Sequence, residues 1–355
     1  MKALLRTAAG QIELQGRRLA RSAALIAMLA LLPGAMPHPA YAQAAGAAAW
    51  NTVLAGAKRE GKVVLYSAQP VPLIARITEA FKRAHPDIAI EYVRGTSGQM
   101  VAKIDQERAA NVDGADVFIT SETAWFVARA KDGGLQKPSG PAMAAWPAAY
   151  LREGQVPIAG LEPFVIPYNK TLVTSPPRGY ADLLRPEFAG KLSTSELNAT
   201  GNIAWSDWLE KTQGADFLVK LRAQNPKLHA GSVPAAQSVV AGEVLVSALG
   251  LPSSAKPMID QGAPLAYVVP NPSFGVEYPI GAFAWSRRPN AALVLVNFLM
   301  SREGQATWHG QGETASPLAD IPGSLRASTI VPYDSTAYTP EVVAKYRDKW
   351  NKIFK

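Results

Sequence analysis

Five short stretches carry small residues with donor or acceptor groups, each at the edge of a helical pattern. They are Ser67 and Gln69 in "SAQP" (67–70), Thr96, Ser97 and Gly98 in "GTSG" (95–98), and Ser121 and Glu122 in "TSET" (120–123). Further along come Thr200, Gly201 and Asn202 in "NATGN" (198–202), and Gln237 and Ser238 in "VPAAQS" (233–238). Unpaired N–H groups at a helix start attract negative charge, and hydroxyls add donors that rotate to suit a partner. The chemistry that fits is recognition of an anion. Thr96, Ser97, Thr200, Gly201 and Ser238 are the candidate donors, and Arg94, at the preceding strand end, is a candidate charge. Capping of the chain's own helices explains any one of these stretches better; three of them, 67–70, 95–98 and 120–123, converging on one sheet edge point to a ligand site.

Other chemistries lack their parts. The chain has no cysteine, which removes disulfides, thiolate nucleophiles and Cys-based metal sites. "GAKREGKV" (56–63) approximates a phosphate loop, but Val63 stands where a hydroxyl is needed and the stretch precedes a strand. "GTSG" is not a nucleophile elbow. Beyond the N-terminal region the histidines are His85, His229 and His309, none at metal-ligand spacing from another. All three are expected at the surface. No metal site and no cofactor is expected.

The elements that must position these stretches alternate. "KVVLY", "IAIEYV" and "ADVFIT" have strand patterns, and each is followed by a helical pattern. In the first helix Leu73, Ile74, Ile77 and Phe81 share one face. Such alternation implies parallel βαβ units, whose loops gather along one sheet edge where ligands bind. A second βα set follows Pro167, then "IGAFAWSR" reads as a strand, and "TPEVVAKYRDKWNKIF" as a terminal helix begun by Thr339 and Pro340.

Residues 1–42 read as a secretory signal peptide: a basic start, an apolar run from Ala23 to Leu32, and Ala40-Tyr41-Ala42 as cleavage site. The formal charge of +8 falls by about half without this leader. No dense basic run is interleaved with aromatics, so nucleic acid is not an expected partner. Export to the periplasm is expected, by the general or the twin-arginine route (Arg17-Arg18).

Taken together, "AKREGKVVLYSAQP", "FKRAHPDIAIEYVRGTSG", "ADVFIT", "PYNKTLV", "YADLLRPEFAGKL", "QSVVAGEVLVSALG" and "FLMSREGQATW" resemble substrate-binding proteins of ABC importers, specifically the ferric-iron-type or bacterial family 1 extracellular solute-binding proteins. The resemblance implies an α/β, type II periplasmic binding protein fold, with two lobes joined by two crossing strands. It puts 43–160 plus 276–355 in lobe 1 and 161–275 in lobe 2. It further implies a monomer that captures a small solute, makes and breaks no bond, and delivers the solute to an inner-membrane permease. Iron-binding members carry a tandem tyrosine after the strand that follows "GE"; here that place reads Leu249, Gly250, Leu251, Pro252 and Ser253. The expected solute is therefore a small organic anion: a phosphonate, phosphate ester or carboxylate. A ferric-iron binder, with Glu122 as one ligand, is the alternative, and a serine hydrolase using Ser97 or Ser121 the more distant one. Trp125, Phe274 and Tyr278 are candidates to pack on an apolar part of the solute, Glu277 and Tyr278 lying on the return crossing.

Overall fold

The structure is a computed structural model and describes residues 39–355. The leader expected at 1–42 lies almost wholly outside them. A helix, α1 (Pro39–Glu60), leads into the first strand. Among the described residues no helix is long and apolar enough to cross a membrane.

Each βα unit forms where an apolar run meets a periodic one. Strand β1 (Lys62–Ser67) is followed by α2 (Val71–Ala84), whose buried residues Leu73, Ile74, Ile77, Ala80 and Phe81 recur every three or four positions. Proline enters its first turn, and the chain turns out at His85. Next come β2 (Ala89–Arg94), α3 (Ser97–Ala109), β3 (Val117–Ile119) and α4 (Thr123–Lys131). A short α5 (Pro141–Ala144) and β4 (Leu151–Arg152) precede the long buried strand β5 (Val156–Pro163). Parallel pairs put β1 between β2 and β3.

Strand β5 carries the chain into a second α/β lobe. There β6 (Ile166–Asn169), β7 (Leu192–Ser195), α6 (Thr200–Gln213), α7 (Phe217–Ala223) and β8 (Lys227–His229) follow in order. They are joined by α8 (Ser232–Val240), β9 (Val246–Ser247), α9 (Pro252–Asp260) and β10 (Leu265–Val268). The strand order is β10-β6-β9-β7-β8. Strand β11 (Phe274–Ala282) then returns antiparallel to β5, with an irregularity at Tyr278/Pro279. Helices α10 (Pro289–Met300) and α11 (Arg302–His309) complete the first lobe, with short strands β12 (Ala315–Ser316), β13 (Leu325–Arg326) and β14 (Val331–Pro332). Its sheet runs β13-β12-β5-β11-β3-β1-β2, with β14 on β11 and β4 on β5. The hydrophobic core is continuous through the crossings, where Phe274 lies between Phe164 and Trp208.

Four expectations are corrected. The strand read over "IGAFAWSR" ends at Ala282, and residues 283–286 form a bridge and turn. That turn lets Ser286 and Arg288 reach the buried Asp116, at 2.6 Å each. The turn read at 233–238 lies inside α8, because Pro234 falls within a helix first turn, where its missing N–H costs nothing. His309 is fully buried, not at the surface. Its Nε2 faces the Ala159 carbonyl at 2.9 Å and its Nδ1 the Thr314 hydroxyl at 2.5 Å, and burial pushes its pKa down to about 3. Finally, helix α12 (Pro340–Phe354) packs on α6 and α7 of lobe 2, not on lobe 1. Three polar links to α6 accompany that packing. Lys349 of α12 donates to Glu210 at 2.6 Å, Tyr346 of α12 also donates to Glu210, and Tyr338, just before the helix, donates to Asp207 at 2.7 Å.

Candidate functional site

The loops at the C-terminal ends of the parallel strands of both lobes face each other. Between them lies a cavity of about 260 Å³. Lobe 1 contributes Arg94, Gly95, Thr96, Ser97 and Ser121. Lobe 2 contributes Asn198, Asn202, Gly231 and Ser232, and Tyr278 of the return crossing forms part of the wall.

The four helix starts around this cavity differ in what already occupies them. At α3 the chain caps itself. The Thr96 hydroxyl accepts from the Gln99 N–H at 3.4 Å, and the Gln99 side chain accepts from the Thr96 N–H at 3.1 Å. At α6 the cap comes from the other lobe. The Glu122 carboxylate accepts the Thr200 N–H at 2.9 Å and also the Thr200 hydroxyl. At α9 it comes from the outgoing crossing, where Glu162 accepts the Ser253 N–H at 2.7 Å and the Tyr278 hydroxyl at 2.5 Å. Helix α8 alone of the four has neither a side-chain cap at its Gly231 N-cap nor a carboxylate from elsewhere.

These carboxylates are held in unusual states. Burial raises the pKa of Glu122 against the lowering effect of its bonds to Thr200. Burial pushes Glu162 up to about 7, the bonds from Tyr278 and Ser253 opposing and the charge of Glu313 adding to the rise. The free positive charge is Arg94. It is the one charged residue lining the cavity, its Nε donates to the Gln69 carbonyl at 3.2 Å, and no carboxylate pairs with it among the described residues.

Of the residues singled out from sequence, Arg94, Thr96, Ser97, Ser121, Asn202 and Tyr278 line the cavity. Ser97 and Ser121 touch through their hydroxyls at 3.1 Å. No histidine is among their hydrogen-bond partners. Gly98 faces lobe 2 so closely that an added Cβ would stand 2.6 Å from the Asn198 carbonyl oxygen. Glu122 and Thr200 bond each other, and Gly201 packs against Val276. Ser67 and Gln69 are buried behind the wall, the Ser67 hydroxyl accepting the Gln69 N–H at 3.0 Å. Gln237 is exposed on a neighbouring cavity, and Ser238 lines neither, its hydroxyl donating to Glu243 at 3.3 Å. Trp125 packs among Phe118, Phe126 and Phe283, and Phe274 packs in the core. Glu277 is bonded by Arg152. Sequence reading missed Asn198, Gly231 and Ser232. A Gly-Ser pair ahead of Pro234 is an N-terminal signal that marks the start of α8 correctly.

Among the described residues no three of His, Cys, Asp and Glu are grouped to hold a metal ion. The Leu249–Ser253 segment, where the resemblance to iron-binding members would put tyrosines, supplies Leu249 and Leu251 to the wall.

The fold is similar to several solved structures. A substrate-binding protein of an ABC transporter from Agrobacterium tumefaciens superposes with TM-score 0.74 at 20% identity, covering 82% of this chain and 95% of that one. Iron-bound HitA from Pseudomonas aeruginosa gives TM-score 0.65 at 18% identity over 82% and 99%. The periplasmic binding protein AfuA from Actinobacillus pleuropneumoniae, with fructose-6-phosphate bound, gives 0.63 at 18% identity over 83% and 96%. No curated protein sequence matches the chain. Residues 63–313 match the family of bacterial extracellular solute-binding proteins, and with both lobes, both crossings and the facing loops inside or flanking that span, the chain belongs to this family.

Proposed function

We propose that this protein is the exported, periplasmic solute-binding component of an ABC importer and that it captures a small organic anion. The observation that carries the reading is Arg94, which among the described residues is an unpaired cation at a cavity whose wall holds no carboxylate, facing the helix starts of the opposite lobe. The start of α8 supplies N–H groups without a cap of their own, the paired Ser97 and Ser121 hydroxyls leave one O–H to turn toward a solute, and Asn202 keeps one amide hydrogen, whereas Asn198 donates both of its own to Glu196 and Ala230. Ferric iron asks instead for hard anionic ligands, and the one tyrosine in this wall has its hydroxyl on Glu162.

The mechanism is capture by closure. Lobe 1 (43–160 with the 276–339 segment) and lobe 2 (161–275 with α12) swing about β5 and β11 and enclose the solute. The closed form, as a monomer, is what a permease engages. No bond is made or broken. The fold accommodates such a cargo elsewhere, since AfuA holds a sugar phosphate, while HitA holds iron.

The test is a thermal-shift and calorimetric screen of protein freed of bound solute by unfolding and refolding. Probes are inorganic phosphate, methylphosphonate, glycerol phosphate, citrate and ferric citrate. An organic anion at a hundredfold its Kd is expected to stabilise by about 2.7 kcal/mol. Arg94→Gln is expected to weaken that binding at least tenfold, the loss of a charged hydrogen-bond donor. Saturation by ferric ion with a visible colour, and no response to the anions, overturns the reading in favour of iron.

A further inference from the structure

A second cavity of about 300 Å³ lies beside the first, and the two share Arg94 and Val233. It too is formed by both lobes. Pro70, Val71 and Pro72 come from the start of α2, and Gln237 comes from α8. Helix α9 adds Pro257 and Met258. Apart from Arg94 no charged residue among the described residues lines it.

Its polar groups are largely engaged already. The Ser253 N–H is held by Glu162, and the Ser254 hydroxyl meets that of Ser232 at 2.7 Å. What remains is a wall of prolines, valines and a methionine, with the Gln237 and Gln261 side chains at its exposed rim. Away from the shared Arg94, such a wall offers an anion nothing and an uncharged group much, because burial of apolar surface is favourable and non-directional. A cavity of roughly 150 Å³ with apolar walls already accommodates a benzene ring. Arg94 stands between the chambers with its Nε fixed to the Gln69 carbonyl, so its guanidinium edge faces a ligand from a set position.

We propose that the solute is bipartite. Its anionic head sits in the first chamber against Arg94 and the start of α8, and an uncharged, mostly apolar substituent the size of a ring or short acyl chain fills the second. This rests on the anionic reading above and narrows it to esters or acids of that shape.

The test compares heads with and without a tail. Affinities of refolded protein are measured by calorimetry for inorganic phosphate against phenyl phosphate, and for acetate against benzoate. In the pair that binds, the tailed probe is expected to be tighter by tenfold or more. Val71→Trp and Gln237→Trp then fill the second chamber from opposite lobes, both at exposed positions that tolerate a larger side chain. Each is expected to bring the tailed-to-headed affinity ratio to within about threefold of one, the loss of most of the apolar burial of the tail. If the tailed probes bind no tighter than the heads, or if the ratio survives in both variants, the bipartite solute is wrong while the anion site stands. If neither pair binds, this inference falls, and the anionic reading falls with it only when the organic anions of the screen above also fail to bind.

Discussion

Glu122 and Glu162 do the same job from different places: each lays a carboxylate on the start of a lobe 2 helix. Such placement satisfies N–H groups that would otherwise be left without partners and sets negative charge at the positive end of the helix dipole. For the anionic solute proposed above, it also decides where the negative charge cannot go. The starts of α6 and α9 are filled by the protein itself, which leaves α8 and Arg94. Glu162 yields a pH signature. Its pKa of about 7 in the folded chain exceeds the ordinary value of 4.5, so the folded state holds a proton that the unfolded state releases. Its contribution to stability is therefore present at low pH and is lost as pH rises from 4.5 to about 7. Glu162→Gln is expected to abolish this decline, gaining on the wild type by on the order of 3 kcal/mol across that window. Denaturant titrations at a series of pH values read the difference. His309 works in the opposite sense: its pKa of about 3 against a usual 6.5 removes stability as pH falls, so the Glu162 effect appears only in the comparison with its variant. Glu122 acts on opening instead. Glu122→Ala removes both of its bonds across the cleft. The radius of gyration of the solute-free protein is expected to rise in small-angle scattering, and solute affinity to fall roughly tenfold, as for loss of a charged hydrogen bond.

At the scale of elements, the close approach of α3 to the loop before α6 can be tested with one methyl group. Gly98→Ala adds helix propensity, less than the about 1 kcal/mol of a helix interior because Gly98 stands in the first turn, yet its Cβ would stand 2.6 Å from the Asn198 oxygen when the lobes meet. Melting temperature is expected to hold or rise while solute affinity falls about tenfold, an order-of-magnitude cost for a steric shift. Parallel loss of both would mean that Gly98 serves folding alone. The βα units are legible in the sequence because local pattern determines them. Leu73, Ile74, Ile77 and Phe81 are all buried as their spacing requires. The loops at 67–70, 95–98 and 120–123 are legible for the same reason: a strand end followed by a helix start leaves little choice. The pairing of Glu122 with Thr200 is not legible, because the two stand 78 positions apart and meet only through the approach of separate lobes. The destination of α12 is equally hidden. Its amphipathic face, with Trp350 and Phe354 buried, states that it docks but not on what.

For the whole molecule, that docking adds a link between the lobes beyond the two crossings. Strand β14 lies parallel to β11 at Phe274 and Gly275, and Tyr333 just after it donates to the Ser121 carbonyl of lobe 1 at 2.7 Å. Five residues later Tyr338 donates to Asp207 of lobe 2. Removing residues 340–355 is expected to expose the seat of Trp350 and Phe354, lower the melting temperature by several degrees, and broaden the range of lobe separations. Several kcal/mol of apolar burial are at stake. Calorimetry and double electron–electron resonance between labels on the two lobes check both effects. An unchanged distance distribution in the shortened chain would mean that the helix stabilises lobe 2 without linking it.

Where β5, β11 and β14 run side by side, the hinge is three strands wide. A broad ribbon bends easily across its flat face but resists wringing about its length. In the closure proposed above, such a hinge would cost the molecule a degree of freedom and confine its travel to something near a single track, like a door with a long hinge plate. Every closing would then end with the same two edges in register, and a receptor at the membrane would need to recognise only that one silhouette, whatever the cargo inside.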